Sequence, residues 1–109
     1  MATLFYDHLI DWQKLTDALN DLGIDGEERL EIIEDSEHAI HTEVLFIFVA
    51  HLPAERHEEF VTRFAAAPHD ASHFEFLMTY GQGDVTSAVK KRTDELIGEI
   101  VRDLAEEQI

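Results

Sequence analysis

The chain has 109 residues, a length that fits one domain with a core of its own. Its 24 acidic and 8 basic residues give a formal net charge of -16, which disfavours direct contact with nucleic acid or anionic membranes. Cysteine is absent, which excludes disulfides and thiolate chemistry, and the longest apolar run falls far short of the roughly 20 residues that span a bilayer. With no secretory leader recognisable at the N-terminus, a cytoplasmic location is expected.

The first helix is predicted to begin at Asp7 or Asp11, since either carboxylate can cap free amide groups. Gly23 is expected to end this helix, with Ile24 folded back on its last turn. Residues 1–6 are expected to lie against the domain. The apolar residues between Asp7 and Gly23 recur at spacings of three and four, which places them on one face of this helix: Leu9, Trp12, Leu15, Leu19 and Leu22.

A second and longest helix is predicted from Asp25, which forms a capping box with Glu28, to about Leu52. Residues 44–50 form the only long run without a polar residue, and we expect them at the centre of the core with neighbours on nearly every side. The run also suits a buried strand, but no turn signal precedes it and no other segment offers a strand to pair with, which favours helix. The predicted inner residues are Leu30, Ile33, Ile40, Val44, Ile47 and Phe48.

Three shorter patterns complete the chain. Pro53 fits the first position of a third helix that Pro68 ends, with Phe60, Val61, Phe64 and Ala65 inward. Asp70 is predicted to cap a fourth helix, with Ala71, Phe74, Leu77 and Met78 inward, and residues 81–83 to end it. Asp84 is predicted to cap the fifth, whose inner stripe is Val85, Ala88, Val89, Leu96, Ile97, Ile100, Val101 and Leu104. The chain therefore predicts an all-α fold: a compact bundle of about five helices around a long second helix, in one domain over residues 1–109.

The second half of the chain resembles a known family. Residues 52–60, Leu-Pro-Ala-Glu-Arg-His-Glu-Glu-Phe, precede a short helix, a turn and a last helix that opens at Asp84 and Val85. This order is similar to that of small acidic all-helical domains of unknown function that are common in candidate-phyla bacteria. The resemblance implies an all-helical fold and assigns no site.

Acidic residues are concentrated between Asp21 and Glu37, where Arg29 is the single base. Three alternative explanations of this acidity remain open: a solvated surface, a high-salt habitat, or mimicry of nucleic-acid phosphate. The only basic cluster, residues 90–92, is expected to offset neighbouring acids. If the acidic helix contacts a protein partner, the predicted partner-binding residues are Glu27, Glu28, Glu31, Glu34 and Asp35.

Seven histidines make metal binding a further hypothesis. Glu34, Glu37, His38 and His41 are spaced so that they can share one helix face and approach a divalent ion. No histidine has a glutamate three residues before it, as di-metal helical bundles require, so solvated polar residues are the favoured interpretation. His69 and His73 are four residues apart, but a cap at Asp70 would leave His69 outside the helix.

No arrangement typical of catalysis is found. The three serines lack the glycines of a nucleophile elbow, and residues 81–84 lack the lysine of a phosphate-binding loop. The sequence therefore predicts a non-catalytic interaction module without a cofactor or resident metal. Its partner would be a protein or a second copy in a homodimer, contacted through the acidic helix or the exposed parts of Phe5, Tyr6 and Trp12. An acidic inhibitor that mimics nucleic acid, anti-CRISPR-like or directed at a nuclease, is the alternative.

Overall fold

A computed structural model describes residues 4–107, most of which lie in five α-helices. The helices are α1 (Trp12–Asp21), α2 (Gly26–His51), α3 (His57–Ala66), α4 (Ser72–Tyr80) and α5 (Val85–Glu107). Short 3-10 turns at Asp7–Leu9 and Ala54–Arg56 precede α1 and α3. No strand occurs between residues 4 and 107, so the predicted all-α fold with a long second helix is confirmed.

Both ends of α1 form as the sequence predicts. The Asp11 carboxylate accepts a hydrogen bond from the Lys14 amide at 3.3 Å, which satisfies one of the free donors of the first turn. At the other end, Gly23 takes a positive φ of 69°, a conformation that costs little only for glycine. The Ile24 amide then donates to the Leu19 carbonyl at 3.0 Å, and the chain turns back into the core.

The capping predictions for the later helices have mixed outcomes. Asp84 accepts hydrogen bonds from both the hydroxyl and the amide of Ser87, which begin α5 and lower the pKa of the Asp84 carboxyl. Asp70 lies one residue before the cap position of α4, where its carboxylate accepts from the Ser72 amide at 2.9 Å. The predicted capping box at Asp25 is wrong, because its side chain makes no capping hydrogen bond to α2.

Helices α2 and α5 form the main antiparallel pair of the bundle. Helix α1 packs on α5, and α3 packs on α4. Since α2 has 26 residues, it is about 39 Å long and sets the long axis of a molecule that measures 48 × 25 × 18 Å. None of the helices described here combines the length and the hydropathy needed to cross a lipid bilayer. The fully buried residues of α2 and α5 are Ile40, Val44, Phe48, Val89, Thr93 and Ile97.

The N-terminal segment, more than the apolar run of α2, lies at the centre of the aromatic packing. Phe5 and Tyr6 are 6 % and 0 % exposed. The Phe5 amide donates to the Pro68 carbonyl at 3.1 Å, which fastens the segment to the turn between α3 and α4. The ring of Phe5 stacks on Phe48 at 5.5 Å and meets Phe74 edge-on at 4.9 Å. Residues 1–3, which belong to the same predicted segment, lie outside the described part.

Several residues predicted to face inward are exposed instead. Because a helix presents only one side to a core, residues 44–50 cannot all be buried, and Val44 and Phe48, four residues apart, occupy the inner side. The short helices α3 and α4 likewise cover one side only. The exposed residues, contrary to prediction, are Leu30 (60 %), Phe46 (68 %), Val61 (54 %), Met78 (79 %), Ala65 and Ala71.

Candidate protein-interaction surface

The five predicted partner-binding acids are all exposed on the first three turns of α2. Within residues 4–107 none of them takes part in a salt bridge. Glu28, Glu31 and Asp35 lie at spacings of three and four, and Asp35 lines a cleft between α2 and α5. Glu27 and Glu34 lie seven residues apart on the same helix.

Arg29, the single base in this stretch, does not offset the acids around it. Its guanidinium Nη1 donates to the Asn20 side chain at 2.9 Å and to the Ile24 carbonyl at 3.3 Å. These contacts join the start of α2 to the end of α1. The carboxylates therefore keep their charge facing solvent, where it attracts cationic groups.

Two separate clefts lie along the seam between α2 and α5, and together they are called the α2/α5 groove. At its lower end, beside the N-terminal half of α2, Ile32 and Ala39 of α2 face Ile100 of α5 across a cleft of about 310 Å³. Three carboxylates, those of Asp35, Asp103 and Glu107, also line this end. The lower end therefore has an apolar floor and an acidic rim.

The upper end of the same seam contains Phe46, which is 68 % exposed. Ala50 of α2 and Ala88 of α5 lie beside it in a cleft of about 390 Å³. The α2/α5 groove is defined below by its apolar residues Ile32, Ala39, Phe46, Ala50, Ala88 and Ile100. Exposed apolar surface of this kind, bordered by charges, is typical of surfaces that bind another molecule.

Arg92 lines the upper cleft, as do Lys91, Glu43 and Glu95. Its Nε donates to Glu43 at 3.1 Å, and its Nη1 lies 3.4 Å from Glu95 and 3.9 Å from Glu99. The hydrogen bond to Glu43 is the main cause of a raised pKa for the Arg92 guanidinium. As the sequence predicts for residues 90–92, this base offsets neighbouring acids, and it joins α5 to α2.

The other exposed apolar side chains are separated from the groove by their positions on other helices or other turns. Val61 lies on α3, and Met78 and Tyr80 lie on α4. The guanidinium of Arg56 covers the Tyr80 ring at 3.9 Å. Phe46 lines the α2/α5 seam, whereas Met78 lines a smaller cleft of about 220 Å³ between the end of α4 and the start of α5.

The predicted metal-binding residues do not come together. Glu34 and His38 are exposed, whereas Glu37 and His41 are half-buried toward α1. His73 lies in the aromatic cluster, where its Nε2 donates to the Ala67 carbonyl at 2.6 Å. Throughout residues 4–107, no group of three or more histidine, cysteine, aspartate or glutamate side chains is placed to hold a metal ion.

A second cleft, of about 270 Å³, lies between α1 and α2. Trp12 and Leu15 from α1 and Ile33 from α2 form its apolar walls, and Glu37 and His41 lie on its α2 side. Asp7, from the turn before α1, also lines it. Of the aromatic residues predicted as an exposed contact surface, Phe5 and Tyr6 are buried and only Trp12 is accessible, through this cleft.

Tyr6 and Asp7 set the electrostatics of this second cleft. The Tyr6 hydroxyl and His41 Nδ1 form a hydrogen bond of 2.7 Å. Burial, with a smaller contribution from Asp7, raises the pKa of Tyr6, while burial lowers the pKa of His41 despite the opposing charges of Asp7 and Glu37. Asp7 Oδ2 accepts from the Leu4 amide at 2.8 Å, but Asp7 Oδ1 is buried without a partner in the described part.

The exposed acids of α2 are predictable from the sequence, whereas the α2/α5 groove was not predicted. The available signal was the spacing of Ala39, Phe46 and Ala50 at intervals of seven and four, which puts them on one side of α2 away from Val44 and Phe48. The pairing of Tyr6 with His41 left no comparable signal, since 35 residues separate them. Comparisons with protein-family models, curated proteins and solved structures found no match for this chain.

Proposed function

We propose that this protein is a non-catalytic helical interaction module that binds a basic amphipathic helix of a protein partner in the α2/α5 groove. The observation that supports this proposal is the arrangement of one face of α2. Its N-terminal half presents unpaired carboxylates, of which Asp35 lines the lower cleft, and its C-terminal half presents an exposed Phe46 in the upper cleft.

Each part of the groove has a defined role in this proposal. An amphipathic helix buries its apolar face in a hydrophobic groove, and one large aromatic residue commonly supplies much of the binding energy. Phe46 is the large aromatic residue that would supply this binding energy. The carboxylates of Glu28, Glu31 and Asp35 would face lysine and arginine residues of the partner, which increases the association rate and fixes the orientation.

Charge favours a basic partner over a second copy of this chain. Each copy has a formal net charge of -16, and a homodimer formed through this groove would bring the acidic rims of two copies together. A basic helix instead reduces the repulsion among the acids of α2. The absence of catalytic activity and the cytoplasmic location expected from the sequence remain predictions.

The proposal is tested with fluorescein-labelled peptides of about 18 residues. We compare an amphipathic leucine–lysine helix, the same helix with glutamate for lysine, and a scrambled leucine–lysine peptide, by fluorescence anisotropy at low and high salt. The amphipathic basic peptide should bind most tightly. Phe46→Ser should weaken its binding about tenfold or more, whereas Val61→Ser, a matched exposed position on α3, should leave it unchanged.

Three outcomes would contradict the proposal. If Phe46→Ser and Val61→Ser have the same effect, the groove is not the binding site. If the scrambled peptide binds as tightly as the amphipathic one, with steep salt dependence, the acids act by charge alone, as the nucleic-acid-mimic hypothesis requires. If sedimentation shows a wild-type dimer that Phe46→Ser dissociates, a second copy occupies the groove.

A further inference from the structure

The cleft between α1 and α2 contains negative charge that no nearby cation offsets. Neither Asp7 nor Glu37 takes part in a salt bridge within the described residues. Asp7 Oδ1 is buried and has no hydrogen-bond partner there, which is an unfavourable state for a carboxylate oxygen. His41 is poorly suited to offset these charges, because burial lowers the pKa of its imidazole and disfavours the cationic form.

The walls of the cleft are suited to an apolar body. Trp12 is half-buried, so part of its indole remains accessible, and Leu15 and Ile33 contribute aliphatic surface. An indole ring attracts a cation placed over its face. A divalent metal ion fits less well, because the carboxylates and the imidazole of the cleft are not grouped as metal ligands.

We infer that the α1/α2 cleft is a binding site for a small organic ammonium ion. Glu37 accepts hydrogen bonds from the ammonium group, the negative charge of Asp7 adds to its attraction, and Trp12, Leu15 and Ile33 contact its alkyl body. The site is separate from the α2/α5 groove and does not depend on the function proposed for that groove.

The chain contains one tryptophan, so its fluorescence reports on this cleft alone. The experiment is a titration of the purified protein with n-pentylammonium chloride, with excitation at the tryptophan absorption edge. The uncharged 1-pentanol, which has the same alkyl chain, is the matched ligand. We expect a saturable change with n-pentylammonium and binding about tenfold or more weaker for 1-pentanol. Equal affinity for the two, or no saturation with the amine, would overturn the inference.

A matched pair of variants distinguishes binding of the amine in the cleft from attraction by the net negative charge of the protein. Glu37→Gln and Glu34→Gln each remove one negative charge from α2, three residues apart, but only Glu37 lines the cleft. Glu37→Gln should weaken n-pentylammonium binding about tenfold, and Glu34→Gln should change it by less than about twofold. Equal effects of the two substitutions would show that the amine binds through net charge.

NMR spectra of the backbone amides, recorded during the same titration, locate the ligand through the chemical-shift changes that it causes. Shifts should concentrate at Trp12, Leu15 and Glu37, and the indole N–H of Trp12 should move with them. Shifts concentrated around Phe46 and Ala88 would place the amine in the α2/α5 groove and contradict the inference, without bearing on whether that groove binds a peptide.

Discussion

Tyr6 and His41 join the first described segment of the chain to the middle of α2 through a hydrogen bond of 2.7 Å. The Tyr6 side chain is fully buried and also meets Phe48 edge-on at 5.5 Å. One residue therefore connects the aromatic core to the wall of the α1/α2 cleft. Any change at this pair is expected to affect both the stability of the fold and the shape of the cleft.

Tyr6→Phe should lower the free energy of unfolding by about 1–3 kcal/mol. The substitution keeps the ring but removes the hydroxyl, and it leaves His41 Nδ1 without its partner in a half-buried position. Urea unfolding followed by circular dichroism measures the difference. Tyr80→Phe is the control, since Tyr80 is 37 % exposed, and it should have an effect below about 0.5 kcal/mol.

The lowered pKa of His41 predicts a loss of stability in acid. Because the folded state binds this proton less readily than the unfolded state, acidification through the unfolded pKa of about 6.5 favours unfolding. Burial is the main cause of the lowered pKa; Asp7 and Glu37 oppose it, and His38 adds to it. Between pH 7.5 and pH 5.0 the wild type should therefore lose more unfolding free energy than His41→Gln. Equal losses in urea titrations of the two proteins would show that His41 does not contribute.

Two neighbouring phenylalanines of α2 should respond very differently to truncation. Phe48 is fully buried and packs on Phe5 and Phe60, so Phe48→Ala should cost about 3–5 kcal/mol. Phe46 is 68 % exposed, and Phe46→Ala should cost less than about 1 kcal/mol. Urea midpoints of the two variants measure the contrast. Comparable destabilisation would mean that residues 44–50 are buried all round, as the sequence pattern alone suggests.

Substitution of two glycines by alanine should change stability in opposite directions. Gly23 has a φ of 69°, so Gly23→Ala should cost about 1–2 kcal/mol although no atom lies within 4 Å of the added methyl group. Gly98 lies inside α5, where a Cβ added at this residue would lie 3.7 Å from Lys14 Nζ, an ordinary van der Waals distance. Gly98→Ala should raise stability by about 0.4–1 kcal/mol, because it restricts the unfolded chain. Thermal unfolding of both variants provides the comparison, and a shift of the same sign would contradict the assignment of Gly23 as the left-handed end of α1.

Local signals predicted the helices well because the cause of each lies within a few residues. Asp11, Gly23 and Asp84 act on amide groups of their own helix ends, and the inner stripe of α5 follows from the helical period. The run at residues 44–50 was less informative. Seven apolar residues in succession have no period, so only the packing partners decide that Val44 and Phe48 face inward.

The candidate surfaces were predictable to the extent that they depend on one helix. The exposure of the acids follows from their charge alone; these are Glu27, Glu28, Glu31, Glu34 and Asp35. The α2/α5 groove depends on how two distant helices pair, and the α1/α2 cleft depends on where residues 6 and 7 meet α2. The spacing of Ala39, Phe46 and Ala50 places them on one side of α2, but which helix faces that side, and where residues 6 and 7 meet α2, have no local sequence cause.

The length of α2 has a consequence for the size of any partner that binds along it. From Glu31 to Phe46 the helix rises roughly 22 Å, so a partner must form about four helical turns to reach the acids and the phenylalanine together. Shorter segments engage one end or the other and forgo the combined affinity. The distance between Glu31 and Phe46 thus sets a minimum length for the partner helix. Serial truncation of a bound peptide should show a sharp fall in affinity near about fifteen residues.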